Sequence, residues 1–260
     1  MRTACIIIDL DGTVYRGDQL IDHTEPFLTM LNENNVNYKF FTNCSRRTPK
    51  ELAVFLKEMG LKVKDSNIIT SGCIVRKYIQ RVDKRPLVYV VGSASFKDYL
   101  HAGNVEIVNT PNKVADYVVV GFCTDFTYES LACALWHIQK GAKLITTNVD
   151  DVIPFGVDTV PHTGAICAFL EYASKQKPLN LGKPSQYAGD YFRDIFDSDA
   201  VFVVGDRIDT DMLFARNNGF VGCLVMTGIT SPKDIEIPKE HFFHIFCNLL
   251  DLSKFIRTQI

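Results

Sequence analysis

A short apolar stretch near the start of the chain, Cys5-Ile6-Ile7-Ile8, is followed directly by two aspartates, Asp9 and Asp11. Its β-branched residues predict a buried strand. In an extended segment residues i and i+2 point to the same face, so both carboxylates would crowd the carboxyl end of that strand. Such crowding is unfavourable unless a cation or a shared proton relieves it. An acidic turn is an equally simple interpretation of these residues alone, because Asp and Gly12 are common turn residues.

Strand-like and helix-like patterns alternate along the chain, which predicts parallel sheets in an α/β fold. One helix start is well marked, since Thr48-Pro49-Lys50-Glu51 has the capping-box spacing with proline at the first helical position. The first predicted elements are a strand over 5–8, a helix over 24–35, a strand over 38–41, a helix over 49–59, a strand over 67–70 and a helix over 74–81.

A second set of β–α units begins after Lys84-Arg85-Pro86 and ends before Lys177-Pro178. Its predicted strands are 87–91, 117–120 and 143–146, and its predicted helices are 96–101, 127–140 and 163–175. The first pattern then resumes with strands over 201–204 and 221–226 and an amphipathic helix over 241–256 that we expect to pack on the core. The middle stretch either completes the first domain or forms one of its own, and its Lys-Arg-Pro entry and Lys-Pro exit favour an inserted domain. We therefore predict a doubly wound parallel-sheet core from residues 1–79 and 180–260, with a smaller α/β domain, 80–179, inserted between them.

The composition limits the partners of this 260-residue chain. A hydrophobic content of 47% and a charged content of 22% are typical of a soluble globular protein. The net charge of −2 gives no reason to expect a nucleic-acid or acidic-membrane partner. No apolar run reaches the ~18 residues of a membrane span. The eight cysteines are scattered without a C-x-x-C pair, which is typical of a reducing compartment. We expect a cytoplasmic protein with a small-molecule ligand and no nucleic-acid or membrane partner.

Polar residues follow other predicted strands as well as the first. Because the carboxyl ends of parallel strands lie on one edge of a sheet, residues far apart in the chain can converge there with Asp9 and Asp11. The further candidates are Thr42 and Asn43 after the strand over 38–41, Asp206 and Asp211 after the strand over 201–204, and Lys183 in a Gly-Lys-Pro turn.

The chemistry of these candidates is complementary. The carboxylates offer hard oxygen ligands that suit Mg²⁺. The hydroxyl, amide and ammonium groups can donate to the oxygens of a phosphoryl group. A carboxylate nucleophile beside Mg²⁺ and phosphate donors describes phosphoryl transfer through an aspartyl-phosphate. Singly, each residue has a structural explanation, such as a solvated turn for Lys183 or a helix cap for Asp206. Their joint occurrence at strand ends and turns favours the site.

Four motifs resemble those of the haloacid dehalogenase (HAD) superfamily: Asp9-Leu-Asp-Gly-Thr, Thr42-Asn-Cys-Ser, Gly182-Lys-Pro and Gly205-Asp-Arg-Ile-Asp-Thr-Asp. Three more stretches resemble its NagD-like, 4-nitrophenylphosphatase branch: Phe126-Thr-Tyr-Glu, Gly141-Ala-Lys-Leu-Ile-Thr-Thr-Asn and Thr163-Gly-Ala-Ile. Members of that branch carry an α/β cap between the second and third motifs. The resemblance implies a HAD-like core, a cap over residues 80–179 and a phosphoric monoester hydrolase activity. A homodimer formed through the cap is compatible with it, and the sequence leaves the oligomeric state open.

The resemblance also implies the roles of the site residues. Asp9 would be the nucleophile, and Asp11 would protonate the leaving alcohol and then activate water. Mg²⁺ would be held by Asp9, the backbone carbonyl of Asp11, and Asp206. The remaining implied roles are phosphate binding by Thr42 and Asn43, charge neutralisation by Lys183, and support of the metal site or of Lys183 by Asp211. Asp209 is the competing acid for that last role, and the spacing favours Asp211.

The predicted cap leaves the substrate open. Val149 stands where the family commonly has a proline, and the segment 151–161 is less rich in glycine than usual. Thr147, Asn148 and Asp150 are either substrate contacts or part of a structural strand-end turn, and His162 is interpreted as a plain loop residue. Nucleoside monophosphates, sugar phosphates, phosphoglycolate and pyridoxal phosphate all remain candidates.

Other functions fit the sequence less well. A haloacid dehalogenase needs neither Mg²⁺ nor a second acid at position 11. A phosphomutase usually carries a helical cap between the first two motifs, and the gap from Thr13 to Phe40 is too short for one. A non-catalytic phosphometabolite-binding protein is disfavoured by the intact Asp9 and Asp11. A P-loop kinase is disfavoured because the chain lacks G-x-x-x-x-G-K-[ST].

Overall fold

The computed structural model describes residues 4–155, 158–198, 200–233 and 242–260. Strands and helices alternate through these residues, as predicted. The strands are β1 Cys5–Ile8, β2 Tyr15–Arg16, β3 Gln19–Leu20, β4 Asn37–Thr42, β5 Ile68–Thr70, β6 Leu87–Val91, β7 Glu106–Ile107, β8 Tyr117–Val120, β9 Lys143–Thr146, β10 Val152–Phe155, β11 Asp158–Pro161, β12 Leu179–Asn180, β13 Val201–Gly205, β14 Val221–Val225 and β15 Phe243–Phe246. The helices are α1 Thr24–Glu33, α2 Pro49–Glu58, α3 Ser71–Val82, α4 Ala94–His101, α5 Tyr128–Gln139, α6 Thr163–Ser174, α7 Gln186–Ile195, α8 Leu213–Asn217 and α9 Leu249–Ile256, with a π-helical turn, Ile208–Met212, before α8.

The chain forms two compact units. The first comprises residues 1–42, 49–69 and 183–260, and the second comprises residues 43–48 and 70–182. The sequence boundaries of 1–79 and 180–260 for the core and 80–179 for the cap differ from this division at residues 43–48, 70–79 and 180–182. Whether each unit is an independent domain stays a prediction.

The first unit contains a six-stranded sheet in the order β15-β14-β13-β1-β4-β5. The central strand β1 pairs in parallel with β13 on one side and with β4 on the other. Ile6, Ile7 and Ile8 are all buried, which is the pattern of a strand covered on both faces of a parallel sheet. The chain segments that follow β1, β4 and β13 therefore leave the sheet at one edge.

The second unit contains a five-stranded sheet in the order β12-β9-β8-β6-β7, with all of its described pairings parallel. The strands predicted over 87–91, 117–120 and 143–146 are found at those residues. Helix α5 begins as predicted, because the Thr127 side chain accepts the Ser130 amide and the Ser130 hydroxyl accepts the Thr127 amide. Its buried face, which includes Leu131 and Ala134, packs in one apolar cluster with Leu170 of α6.

The prediction of one continuous helix over 241–256 is wrong in its first part. Residues Phe243–Phe246 form β15, which pairs in parallel with β14, and the helix α9 begins only at Leu249. The Asn248 side chain accepts the amides of Leu250 and Asp251 and so caps α9. Residue 241 lies outside the described residues. The expected packing of this helix on the core is confirmed, since Leu249, Leu252 and Ile256 are fully buried in the main cluster of the first unit, the last two on one face of α9.

Several short strands escaped sequence analysis. Strands β2, β3, β7 and β12 have two residues each, and the antiparallel pair β10–β11 has four residues in each strand. Elements this short carry too little periodicity to be recognised. Among the described residues, no helix has the length and apolar character needed to cross a bilayer.

Candidate active site

Lys183 is the centre of a buried ionic cluster in the first unit. Its ammonium Nζ lies 2.5 Å from Asp9 Oδ1, 2.7 Å from Asp211 Oδ1 and 3.2 Å from the carbonyl oxygen of Phe41. These three acceptors match the three N–H donors of an ammonium group. Lys183 is only 3% exposed, so the cluster operates in a medium that screens charge weakly. Four segments that are remote in sequence thus converge here: those that follow β1 and β13, the end of β4 and the Gly-Lys-Pro turn.

Asp211 is held at both carboxylate oxygens. Oδ1 accepts from Lys183, and Oδ2 accepts the backbone amide of Arg207 at 3.1 Å. Gly205 makes room for this side chain, because a Cβ at position 205 would lie 2.2 Å from Asp211 Cγ. The competing acid lies elsewhere: Asp209 is exposed and pairs with the guanidinium of Arg207 at 2.6 Å. The geometry therefore favours Asp211 over Asp209 as the supporting acid.

Asp206 follows β13 and lies against two glycines. Its Oδ2 accepts the Ile229 amide at 2.6 Å, whereas its Oδ1 is buried without a hydrogen-bond partner. A Cβ at Gly12 would lie 2.5 Å from Asp206 Oδ2, and a Cβ at Gly228 would lie 1.8 Å from the same atom. Both positions therefore require glycine. A buried carboxylate oxygen without a partner is costly, and a cation would satisfy it.

The acidic residues of this cluster meet the requirements of a hard divalent cation. Asp9, Asp206 and Asp211 each offer an oxygen, and these oxygens lie within 4.8 Å of one another. With all three carboxylates ionised, the one ammonium of Lys183 would leave a net charge of −2 in a buried space. The oxygen donors and the uncompensated charge both suit Mg²⁺. The residues present fit that ion.

Burial shifts the pKa values of the acids in the cluster. It raises the pKa of Asp9 well above its ordinary value, and the nearby charge of Lys183 opposes that rise. Burial and the charge of Asp211 together raise the pKa of Asp206 to about 7. Burial alone would lower the pKa of Lys183, but the charges of Asp211 and Asp9 more than offset it and raise the pKa. The Lys183 ammonium therefore stays protonated. Its single positive charge does not offset the rise in the pKa values of Asp9 and Asp206.

Asp11 differs from Asp9 in its surroundings. The residue reaches solvent, and its backbone forms an isolated bridge with Tyr15. Burial by the surrounding protein raises the pKa of the Asp11 carboxyl, and the charge of Arg16 lowers it in part. Arg16 also donates to the carbonyl of Thr227, and the Thr227 hydroxyl donates to the carbonyl of Gly12 at 2.8 Å. A raised pKa suits a group that must deliver a proton.

The second predicted motif divides between the two units. Thr42 is the last residue of β4 and is buried in the first unit, whereas Asn43 is the first residue of the second. Within that unit the Asn43 amide Nδ2 lies 3.3 and 3.4 Å from the two carboxylate oxygens of Asp150. The Asn43 carbonyl accepts from Ser71 Oγ at 2.8 Å and from Asn148 Nδ2 at 2.9 Å.

Sequence analysis overlooked the segment 227–229, which contacts both Gly12 and Asp206. Its sequence, Thr-Gly-Ile, is typical of an ordinary turn after a strand. His162 lies in the loop between β11 and α6, as the sequence suggested, but it is buried there. The imidazole is 5% exposed, stacks on Phe122 with ring centroids 4.6 Å apart, and has Nδ1 3.1 Å from Asn148 Oδ1. A lone histidine between Pro161 and Thr163 carries no sequence signal of such burial.

An α/β sheet that ends in a lysine-centred carboxylate cluster with oxygen donors for a cation is typical of phosphoryl-transfer hydrolases. The sequence model of the haloacid dehalogenase-like hydrolases matches residues 6–106, and a second, HAD-hydrolase-like model matches residues 180–252. The chain is 34% identical to the acid sugar phosphatase of Staphylococcus haemolyticus over 232 residues, which is 88% of each chain. It is 34% identical to that of Staphylococcus epidermidis over 91% of this chain and 93% of the relative.

Solved structures agree with these relatives. A 4-nitrophenylphosphatase from Thermotoga maritima has a TM-score of 0.90 and 33% identity, covering 96% of each chain. A glycerol phosphate phosphatase from Mycobacterium tuberculosis, in complex with magnesium, has a TM-score of 0.87 and 28% identity over 97% of this chain and 78% of that one. The chain belongs to the haloacid dehalogenase-like hydrolases and is a phosphoric monoester hydrolase.

Proposed function

We propose that this phosphatase hydrolyses a small phosphorylated metabolite through an aspartyl-phosphate on Asp9, with Mg²⁺ as cofactor. The observation that carries the proposal is the position of Lys183 between Asp9 and Asp211, at 2.5 and 2.7 Å, beside the unpartnered Oδ1 of Asp206. A structural salt bridge alone would leave neither an excess negative charge nor an orphaned carboxylate oxygen.

Asp9, the backbone carbonyl of Asp11, and Asp206 would hold the Mg²⁺ ion, with Asp211 supporting the site from behind. The ion would supply positive charge to the phosphoryl oxygens and to the carboxylates. Added positive charge lowers the pKa of a carboxyl group, so Asp9 and Asp206 would both be ionised at neutral pH. The charge of −2 in the cluster supports this assignment.

The chain's own residues account for the two chemical steps. An Asp9 oxygen attacks phosphorus, the bond from phosphorus to the ester oxygen breaks, and the Asp11 carboxyl donates its proton to the leaving alcohol. Asp11, now ionised, takes a proton from water as that water attacks the phosphorus of the aspartyl-phosphate and the bond from phosphorus to the Asp9 oxygen breaks. Inorganic phosphate leaves, and Asp9 and Asp11 return to their starting states. Thr42, Asn43 and Lys183 bind the phosphoryl oxygens throughout.

Sugar phosphates are the first substrates to test. The curated relatives are named acid sugar phosphatases, and one structural neighbour is named a glycerol phosphate phosphatase. Both names describe small polyhydroxylated phosphate esters. We propose this class ahead of nucleotides, phosphoglycolate and pyridoxal phosphate, which belong in the same panel.

The decisive experiment compares wild type with Asp9→Asn on 4-nitrophenyl phosphate, with Mg²⁺ and with excess chelator. Wild type should release phosphate only with Mg²⁺. Asp9→Asn should lose turnover but still bind inorganic phosphate, because Asn keeps the size of the side chain and loses its nucleophilicity. Substantial turnover by Asp9→Asn would refute the nucleophile assignment. Phosphate release from a panel of phosphorylated metabolites then identifies the substrate class.

We also propose a cytoplasmic location and a homodimer formed through the second unit. All eight cysteines are free thiols, which supports a reducing compartment. Tyr128 at the start of α5 and Tyr172 on α6 are 76% and 79% exposed, and exposed aromatic side chains are common at interfaces. Light scattering of the purified protein tests the dimer, and imaging or fractionation of cells tests the location.

A further inference from the structure

The second unit contains a buried polar network around Asn148, the residue that follows Thr147 after β9. Asn148 and Thr163 are fully buried, and His162 is 5% exposed. The Asn148 side chain uses its full hydrogen-bonding capacity. Nδ2 donates to the Asn43 carbonyl at 2.9 Å and to Thr163 Oγ1 at 3.2 Å, and Oδ1 lies 3.1 Å from both the Asp150 amide and His162 Nδ1.

These partners settle the orientation of the amide and the tautomer of the imidazole. A backbone carbonyl only accepts and a backbone amide only donates, so Nδ2 must face Asn43 and Oδ1 must face Asp150. Since Oδ1 is an acceptor, His162 Nδ1 carries a proton and donates to it. The ring of His162 is fixed from the side by its stack on Phe122, with an angle of 14° between the planes.

The network also fixes a turn. The Gly164 amide donates to the Asp150 carbonyl at 2.8 Å, and a Cβ at Gly164 would lie 2.5 Å from the Val149 carbonyl oxygen. The turn 148–150 therefore packs directly on the first residues of α6. Asp150 in turn accepts from the Asn43 side chain. The backbone carbonyl of Asn43 thus accepts hydrogen bonds from Asn148 and Ser71, and its side-chain amide donates to Asp150.

We propose that His162 is a positioning residue for phosphate binding, because it orients Asn148, which together with Asp150 holds Asn43. The inference rests on the proposed function, in which Asn43 follows Thr42 in the phosphate-binding motif. His162 itself would contact neither the substrate nor the reacting atoms. Its contribution is the hydrogen bond from Nδ1 to Asn148 Oδ1, one of the four that fix the Asn148 side-chain amide. The same Nδ1 lies 4.0 Å from Oδ2 of Asp150, the residue that accepts the Asn43 side-chain amide.

The test separates the hydrogen bond from the aromatic stack. His162→Phe keeps a ring against Phe122 and loses the donor, whereas His162→Asn places an amide N–H near the position of Nδ1 and loses the ring. The readout is the inhibition constant of inorganic phosphate against 4-nitrophenyl phosphate, measured on the full chain with Mg²⁺, together with kcat and the melting temperature. One hydrogen bond predicts a roughly 5-fold higher inhibition constant for His162→Phe. His162→Asn should stay within about 2-fold of wild type.

A second buried histidine provides the matched control. His137 is fully buried in the same unit and accepts the Ala115 amide through Nδ1 at 3.1 Å. His137→Phe should lower the melting temperature without changing the inhibition constant of phosphate. If His162→Phe fails to fold, Asp150→Ala removes the acceptor of the Asn43 amide at a half-buried turn and should raise the same constant.

The outcomes distinguish this inference from the proposed function. A wild-type chain that neither hydrolyses 4-nitrophenyl phosphate nor binds phosphate overturns both. An active wild type with an unchanged inhibition constant in His162→Phe and Asp150→Ala overturns the positioning role alone. The positioning role is also overturned if His137→Phe raises the constant as much as His162→Phe does, because the effect would then be one of general destabilisation.

Discussion

Lys183 and Asp211 form an ion pair of 2.7 Å in which both side chains are almost completely buried. The pair matters because Lys183 also contacts Asp9, so Asp211 determines where the ammonium stands relative to the proposed nucleophile. The Arg207 amide donates to the second oxygen of Asp211 and so fixes the position of this carboxylate.

Asp211→Asn should therefore lower kcat/KM by about 10- to 100-fold, the usual value of a hydrogen bond to a charged group. Asn keeps the size of the side chain but removes the charge that anchors Lys183. Steady-state hydrolysis of 4-nitrophenyl phosphate measures the effect. Asp209→Asn is the matched control, because Asp209 has a 68% exposed side chain that pairs with the guanidinium of Arg207. Its activity should stay within about 2-fold of wild type. Equal losses in the two variants would contradict the role given to Asp211.

Asp11→Asn should separate the two chemical steps. Nitrophenolate is a good leaving group and needs little protonation, so the first step should continue, whereas hydrolysis of the aspartyl-phosphate lacks its base. A rapid burst of about one nitrophenolate per enzyme molecule should precede steady-state turnover that is about 10²- to 10⁴-fold slower than in wild type. Stopped-flow absorbance detects the burst. A linear trace with an unchanged rate would show that Asp11 is not the general base.

Much of the first-unit site follows from the sequence for a physical reason. Asp9, Asp206 and Thr42 each end or follow a hydrophobic strand, and the strand ends of a parallel sheet share one edge. The pattern of strands therefore predicts that these residues meet. The position of Lys183 has no basis in periodicity, since it lies in a turn; its charge made it a candidate, and the resemblance of Gly182-Lys-Pro to a family motif supported it.

The parts that escaped prediction depend on backbone positions or on buried polar contacts. The Ile229 amide on Asp206 is a backbone group and leaves no trace in the side-chain pattern. The burial of His162 depends on Phe122, forty residues earlier in the chain. The spacing of Phe242, Phe243 and Phe246 also fits a helix, so the sequence alone predicts a helix before Asn248. Residues Phe243–Phe246 form a strand instead because they pair with β14.

Gly228→Ala should weaken Mg²⁺ binding. The new methyl group would lie 1.8 Å from Asp206 Oδ2 and must displace either the carboxylate or the Ile229 amide that holds it. We expect a several-fold higher Mg²⁺ concentration for half-maximal phosphate release. We also expect a smaller rise of the melting temperature on adding Mg²⁺, which reports ion binding without turnover.

A suitable control for that variant is Gly17→Asn. Position 17 has φ of +63° and nothing within 4 Å of a new Cβ, and Asn tolerates this backbone conformation. Its dependence on Mg²⁺ should match wild type. If Gly228→Ala shows the Mg²⁺ dependence of wild type, Mg²⁺ binding does not require the Asp206 carboxylate in its observed position.

His137 should make the second unit sensitive to acid. Burial lowers the pKa of His137, and Nε2 is buried without a hydrogen-bond partner, while Nδ1 accepts from the Ala115 amide. Below the ordinary histidine pKa of about 6.5 the unfolded chain binds a proton that the folded chain does not. The free energy of unfolding therefore falls as the pH drops below about 6.5, and this contribution is constant above it.

His137→Asn isolates that contribution, since Asn can still accept the Ala115 amide but cannot be protonated. Denaturant unfolding of both proteins from pH 8 to pH 5 should show the variant less stable at pH 8, because the ring leaves a space beside Tyr89 and Trp136. The difference in the free energy of unfolding between the two proteins should become steadily smaller below about pH 6.5, because only wild type contains the histidine that is protonated on unfolding. Acidic groups such as Asp206 titrate equally in both proteins and cancel in the difference. A gap that stays constant down to pH 5 would show that folded His137 accepts a proton as readily as the unfolded chain does.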